Sequence, residues 1–371
     1  MSIQCRGHNT YLIKITLGYK PKRSYYTETF KGAKKEAQLR EAELQIQHLR
    51  KNLVVSSGMT FRECVDLHLD EVRPRLSPTT IIIRESFIKR HLLPILGDKK
   101  LKALDKDDFQ KVYDSMKAGG LSPHTIHSLH GAARAVTTMA LNKRLLSEDI
   151  LKGVQLPKRP KPQPEFLTYA ETRAFFDMAS NYWYGDAFKF QFVTGERNQE
   201  LMALMWGDID FKNARVLIRR ACCWVKGKFE GFKSTKTGEE RVIELDRPVL
   251  NILKRVKAAQ EKHIKSRKER GLSYDDESLV FCTQDGRVPN MDVVRACFKR
   301  ILKRIGITRR FRWYGIRHTH ATHLLDQKGV KPKMVADRLG HSVPMLFHTY
   351  GHAMPGQQRE ALSKISSRLK I

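Results

Sequence analysis

Four prolines within eight residues, Pro157, Pro160, Pro162 and Pro164, place the strongest constraint on how this chain can fold. Proline lacks a backbone N–H and its ring collides with the preceding helical turn, so no helix runs through this segment. The chain must stretch into a stiff linker there, and its 371 residues leave room for folded domains on both sides. Lys158, Arg159 and Lys161 within the linker suit a path along a polyanion. Over the whole chain 69 Lys and Arg face 39 Asp and Glu, a formal net charge of +30. Self-repulsion of that size opposes compaction unless a polyanion binds, so nucleic acid is the expected partner. A basic ribosomal-type or thermophile protein is the plain alternative on charge alone. A hydrophobic content of 41% is enough for packed cores and excludes a disordered basic tail.

No stretch approaches the roughly 20 apolar residues that span a membrane. Met1 to Arg6 lack the apolar run of a secretory signal. Cys5, Cys64, Cys222, Cys223, Cys282 and Cys297 are scattered without a C-x-x-C pair, which argues against structural zinc and a disulfide framework and fits a reducing cytoplasm.

Ahead of the linker, alternating residues predict strands over Ser2–Arg6, Thr10–Tyr19 and Ser24–Phe30, with Lys20-Pro21-Lys22-Arg23 as a basic turn. A helix follows with Leu39, Ala42, Leu44, Ile46 and Leu49. After a connector at 54–58, helices are expected from Thr60-Phe61, from Ser77-Pro78 through Ile81 to Leu93, over Leu104–Met116 behind an Asp105 cap, and over Leu121–Leu145 behind Ser122-Pro123. Arg84, Lys89, Arg90, Lys99 and Lys100 would face phosphates, or simply be solvated. Beyond the linker the chain reads as mainly helical, with strands near Ala214–Ile218, Ala221–Val225 and Arg241–Leu245.

The last half carries four segments in order: Thr194-Gly195-Glu196-Arg197-Asn198-Gln199-Glu200-Leu201, then Ser234-Thr235-Lys236-Thr237-Gly238, then Tyr314-Gly315-Ile316-Arg317-His318-Thr319, and Leu339-Gly340-His341 with Tyr350 nine residues later. Together they supply guanidinium forks to hold a pentavalent phosphate, an ammonium to protonate a leaving oxygen, and a phenol to attack. Each has a plain alternative: Arg197 and Glu200 as a surface ion pair, Lys236 as an inert turn lysine with Lys233 as competitor, His341 as a solvated residue after a helix cap. His318, His320 and His323 invite a metal reading, but offsets of two and five do not bring three imidazoles to one helix face.

The four segments in this order resemble the tyrosine recombinase family, above all the lambda-type integrases of phages and integrative elements. The resemblance implies a mainly α fold with small β-sheets (α+β). It also implies an arm-type DNA-binding domain at 1–53, a helical core-binding (SAM-like) domain at 59–153, a linker at 154–164 and a catalytic domain at 165–371. Arg197 and Arg317 would bind the scissile phosphate, Glu200 would steady the framework, and Lys236, at a hairpin tip, would be the general acid. His341 would donate to the phosphate and Tyr350 would be the nucleophile, leaving a 3′-phosphotyrosyl link. The family commonly has histidine where this chain has Tyr314, which can hydrogen-bond a phosphate oxygen but, with a phenol pKa of about 10, is no neutral-pH base. The implied partners are double-stranded DNA at core and arm attachment sites, a homotetramer on two duplexes, and DNA-bending accessory proteins, in a bacterial cytoplasm and without metal, ATP or other cofactor. The tail from Arg359 to Ile371 would close its own domain or dock on a neighbouring subunit. A type IB topoisomerase or a non-catalytic DNA-binding regulator are the alternative readings.

Overall fold

The computed structural model describes residues 2–18, 24–49, 58–160, 165–235, 238–327, 329–350 and 366–367. The chain divides into two compact units, Met1–Lys161 and Pro162–Ile371. The basic turn at Lys20–Arg23, Lys236, and all of the tail beyond Tyr350 except Ser366 and Ser367 lie outside the described residues.

The first unit opens with an antiparallel sheet of β1 (Ser2–Gly7), β2 (Thr10–Gly18) and β3 (Ser24–Lys31), in that order. Gly7 pairs with Thr10 across a two-residue turn whose Asn9 takes a left-handed φ of 53°, a conformation asparagine tolerates well. Alternation on β2 turns Ile13 and Ile15 inward, where they meet Leu44 of α1 (Lys34–Leu49). Arg40 fastens the helix to the sheet through Glu28 at 2.9 Å, and the Tyr26 hydroxyl donates to the same carboxylate. Leu39 and Ile46, expected among the helix's apolar positions, are exposed: a three-stranded sheet covers only the narrow stripe through Ala37 and Leu44.

A helical bundle follows, made of α2 (Phe61–Val72), α3 (Pro78–Phe87), the one-turn α4 (Leu93–Leu96), α5 (Lys106–Ala118) and α6 (Pro123–Asn142). Thr60 and Glu63 form a capping box on α2, and Ser77, Asp105 and Ser122 cap α3, α5 and α6 through their side-chain oxygens. The helix expected to run evenly from Ile81 to Leu93 instead passes through a π turn at Ile88–Leu92, closed by Leu93 N–H donating to the Ile88 carbonyl. Pro94 accounts for it: the residue has no N–H to offer Arg90, and its ring displaces that carbonyl. Two of the lysines expected to face phosphates are paired within the unit, Lys89 with Glu85 at 2.7 Å and Lys99 with Asp108 at 2.5 Å. The start of the proline segment is tied to the bundle by Gln155 N–H on Gln110 Oε1 and by His127 Nε2 at 2.9 Å from the Pro157 carbonyl.

The second unit begins with α7 (Tyr169–Ala179), α8 (Gly185–Thr194) and α9 (Asn198–Leu201). Five short strands follow: β4 (Ile209–Asp210), β5 (Arg215–Ile218), β6 (Arg220–Val225), β7 (Lys228–Ser234) and β8 (Arg241–Glu244). It closes with α10 (Arg247–Glu269), α11 (Met291–Arg304), α12 (Gly315–Leu325), α13 (Pro332–Leu339) and α14 (Val343–Tyr350). Its core is aromatic: Phe175, Phe188, Phe298 and Trp313 meet edge-on or tilted at 5.3 to 6.0 Å between ring centres. The Trp313 indole donates to the fully buried Gln191 amide at 2.7 Å, which joins α8 to the approach of α12.

The strands correct one expectation. β8 pairs with β5 in a sheet of order β4-β5-β8, whereas β6 and β7 form a separate two-stranded ribbon. The hairpin tip is therefore Lys226-Gly227, and the segment containing Lys236 crosses from one sheet to the other. Its described flanks form a turn in which Gly238 N–H donates to the Thr235 carbonyl at 3.0 Å. β4 and β7 were not expected from sequence; β7 has Gly231 at its centre and buries no residue fully.

Candidate active site

Gly195 ends α8 in the left-handed region at φ 74°, and an added Cβ there would lie 2.3 Å from the His320 ring. The chain turns sharply and leaves Arg197 extended, one residue ahead of α9. Glu200, three residues on, reaches back: its carboxylate accepts the Arg197 backbone N–H at 3.0 Å and Nη1 at 2.7 Å. The same carboxylate accepts Arg241 Nη2 from β8 at 2.5 Å. Burial alone would raise the Glu200 carboxyl, but the hydrogen bond and charge of Arg241, with Arg197, outweigh it and hold the group below its ordinary value. Arg197 Nη2 donates to the Gly340 carbonyl at 3.2 Å, and Arg241 Nε to the Arg338 carbonyl at 3.0 Å.

Arg317 occupies the first turn of α12 and is completely buried. Its Nη1 donates to the Gly195 carbonyl at 2.8 Å and its Nη2 to the Leu339 carbonyl at 2.5 Å. Its Nε has no partner among the described residues. Burial, with Arg197 and Arg241 nearby, pushes the guanidinium down to about 10, still a cation at neutral pH. Taking an ion out of water costs several kcal/mol when no counter-charge faces it. Three arginines around one ionised carboxylate leave a local surplus of positive charge.

Gly340 closes α13 in the left-handed region at φ 62° and sets His341 beside Arg317, Nε2 at 2.8 Å from Nη2. Arginine only donates, so Nε2 accepts. Burial and the arginine charges push this imidazole down to about 3, so it is neutral and carries its proton on Nδ1. That Nδ1 is buried without a partner among the described residues. It is a hydrogen-bond donor awaiting an acceptor.

Tyr350 ends α14 with its ring buried and its hydroxyl 2.7 Å from His318 Nδ1. Burial raises the phenol above its ordinary value, with Arg317 pulling the other way. Tyr314, 40% exposed, packs edge-on against the His318 ring at 5.1 Å.

Arg197, Glu200, Arg317 and His341 thus share one hydrogen-bonded network, and Tyr350 stands at the residue next to Arg317. Tyr314 packs its ring against His318 and its carbonyl accepts the Arg317 backbone N–H at 3.2 Å, and Lys236 lies outside the described residues. Two residues were missed by the sequence reading. Arg241 looks like any strand arginine. His318 was visible only as one of three histidines, which go to separate places: His318 to Tyr350, His320 to the Phe192 carbonyl, and His323 to the Leu167 carbonyl with its ring stacked on Tyr169.

Convergent guanidinium groups, a neutral imidazole donor and a phenol, held on a mainly helical scaffold, define a site for phosphoryl transfer. Residues 165–356 match the model of the phage integrase family, and residues 60–117 that of the phage integrase N-terminal SAM-like domain. The ICEBs1 integrase of Bacillus subtilis (strain 168) is 21% identical, with all of both chains covered. A tyrosine recombinase XerC-like protein of Caldanaerobacter subterraneus subsp. tengcongensis is 25% identical over 97% of this chain and 96% of that one. The Tn1549 transposon integrase, solved in complex with transposon right end DNA, superposes with a TM-score of 0.70 at 21% identity over 83% of this chain and all of that one. The chain belongs to the phage integrase family and is a site-specific tyrosine recombinase.

Glu196, between Gly195 and Arg197, yields a prediction about stability. Its side chain is fully buried, takes a hydrogen bond from Thr194, and is pushed up to about 7 by burial. The folded carboxyl keeps its proton to about pH 7, whereas an unfolded one releases it near 4.5. Stability is therefore fully present below about 4.5 and falls as pH rises through 7, by up to about 3 kcal/mol. Glu196→Gln should flatten this fall, as read by denaturant unfolding at a series of pH values.

Proposed function

We propose that Tyr350 attacks the scissile phosphate of duplex DNA, forming a 3′-phosphotyrosyl link and releasing a 5′ hydroxyl. Arg197 and Arg317 neutralise the charge that develops on the non-bridging oxygens, and His341 Nδ1–H donates to the same phosphate. Glu200 and Arg241 hold Arg197 in place. Lys236 protonates the leaving oxygen, since an alkoxide departs poorly at neutral pH. One phosphoester replaces another, so the step needs no external energy source, and a 5′ hydroxyl from a partner duplex reverses it. The observation that carries this reading is the buried Arg317 cation, partnered by carbonyls and one imidazole, beside the hydroxyl of Tyr350.

The reading extends to the whole chain. Two duplexes exchanging strands require four active sites, hence a homotetramer on DNA. Residues 1–53 read distal arm sites, residues 59–153 the core site, and residues 165–371 carry the chemistry. Integration and excision of a mobile element in a bacterial cytoplasm, with DNA-bending accessory proteins, is the role that fits. Among the described residues no helix is long and apolar enough to cross a membrane.

Tyr350→Phe should bind core-site DNA normally yet form no covalent complex on a nicked suicide substrate; an adduct from that variant would refute the assignment. Lys236→Ala should be slow on an ordinary phosphodiester and recover when sulfur replaces the leaving 5′ oxygen, because sulfur departs without protonation. Rescue of Lys233→Ala instead would move the role to that residue. Removing residues 1–53 should spare Tyr350-dependent cleavage of a short core site and abolish recombination that needs arm sites. Loss of core cleavage by a folded truncation would overturn that division.

A further inference from the structure

We infer that His318 is the base that takes the proton from Tyr350 as its oxygen attacks the phosphate. The inference rests on Tyr350 being the nucleophile and adds a residue to that chemistry. Tyr350 Oη lies 2.7 Å from His318 Nδ1, within reach of direct proton transfer. The imidazole is held between two rings, Tyr350 at 5.6 Å and Tyr314 edge-on at 5.1 Å, so its acceptor nitrogen keeps its aim. Tyr314 is thereby a positioning residue: its phenol is exposed and its role is to brace the base.

The other imidazole of the site is occupied elsewhere. His341 Nε2 takes its hydrogen bond from Arg317, and its Nδ1–H is a donor. Among the described residues, His318 is the side chain that presents a nitrogen to the phenol. The groups that face it are Arg317 on its own helix, Tyr314 at the helix start, Tyr350 on α14 and His341 after α13. It also lines a cleft of about 450 Å³ with Glu165, Arg310 and Arg312. Burial and then Arg317 push the imidazole down to about 4, so it is neutral and competent to accept at physiological pH. A phosphate entering between the arginines cancels part of that positive field and raises the basicity of His318. The base therefore strengthens when substrate is in place, which protects the phenol from being activated on an empty site.

The proton balance closes. As the Tyr350 O–P bond forms, the phenolic proton passes to His318 Nδ1; as the P–O5′ bond breaks, the leaving oxygen takes its proton from Lys236. Religation reverses both transfers, with the imidazolium returning its proton to the departing tyrosine.

The test is single-turnover formation of the covalent complex on a suicide core site, from about pH 5 to about 9, for wild type, His318→Gln and His318→Ala. His318→Gln should bind core DNA as wild type does and form the adduct about 100-fold more slowly. Its rate should rise with hydroxide in place of the wild type's acid limb, and added imidazole should accelerate His318→Ala in proportion to its neutral form. A wild-type rate for His318→Gln overturns the inference. So does a slow variant with an unchanged pH profile and no response to imidazole, since that marks a purely structural role. Peptide mapping of the wild-type adduct separates the two claims. A link at Tyr350 with full-rate cleavage by His318→Gln removes only the base, whereas a link at another residue removes the nucleophile and the base with it.

Discussion

A guanidinium cation sealed from water, with carbonyls and an imidazole in place of a carboxylate, is the interaction on which the catalytic unit depends. Arg317 is held by the carbonyls of Gly195 and Leu339 and by His341, so two segments distant in sequence, at 195 and at 339–341, converge on one side chain. Each carbonyl is available because a helix has just ended in a left-handed residue, Gly195 after α8 and Gly340 after α13. Helix ends leave carbonyls without intrahelical partners, and here those groups serve as ligands to a cation. The arrangement solvates the charge without neutralising it.

Arg197 is treated differently. It shares the buried Glu200 carboxylate with Arg241, which fixes its direction and lowers its net charge. One arginine is thus oriented by an anion and the other left short of one, and the pair keeps a surplus positive charge in a low-dielectric setting where each donor counts for more than in water. Burial, and after it this surplus, suppress protonation of His318 and His341, so both imidazoles are neutral. The two imidazoles are engaged differently: Arg317 meets a ring nitrogen of His341, and the Tyr350 hydroxyl meets one of His318.

Much of this was legible along the chain because it is local. Capping at Thr60, Ser77, Asp105 and Ser122 depends on residues within one turn, and the glycine stop at 340 depends on φ at a single position. The ion pair of Arg197 and Glu200 is likewise a three-residue matter. The misreadings are of a different kind. β7 and β8 do not form a hairpin, and pairing of β8 with β5 rather than β7 is a choice among non-local partners that alternation does not encode. Leu39 and Ile46 look like core positions on a helical wheel, yet the sheet beneath α1 is too narrow to cover them.

From sequence alone came the mainly helical class, and the naming of Arg197, Arg317, His341 and Tyr350 as candidates, since each rests on residue chemistry or on spacing within a few positions. Tertiary structure alone decided which groups meet. Arg241 arrives from a strand 41 residues past Glu200, and His318 receives Tyr350 from 32 residues away. Spacing along a helix says which side chains share a face. Which face another element then covers is set by packing of the whole unit, and that packing turned His318 from one of three clustered histidines into the partner of the Tyr350 hydroxyl.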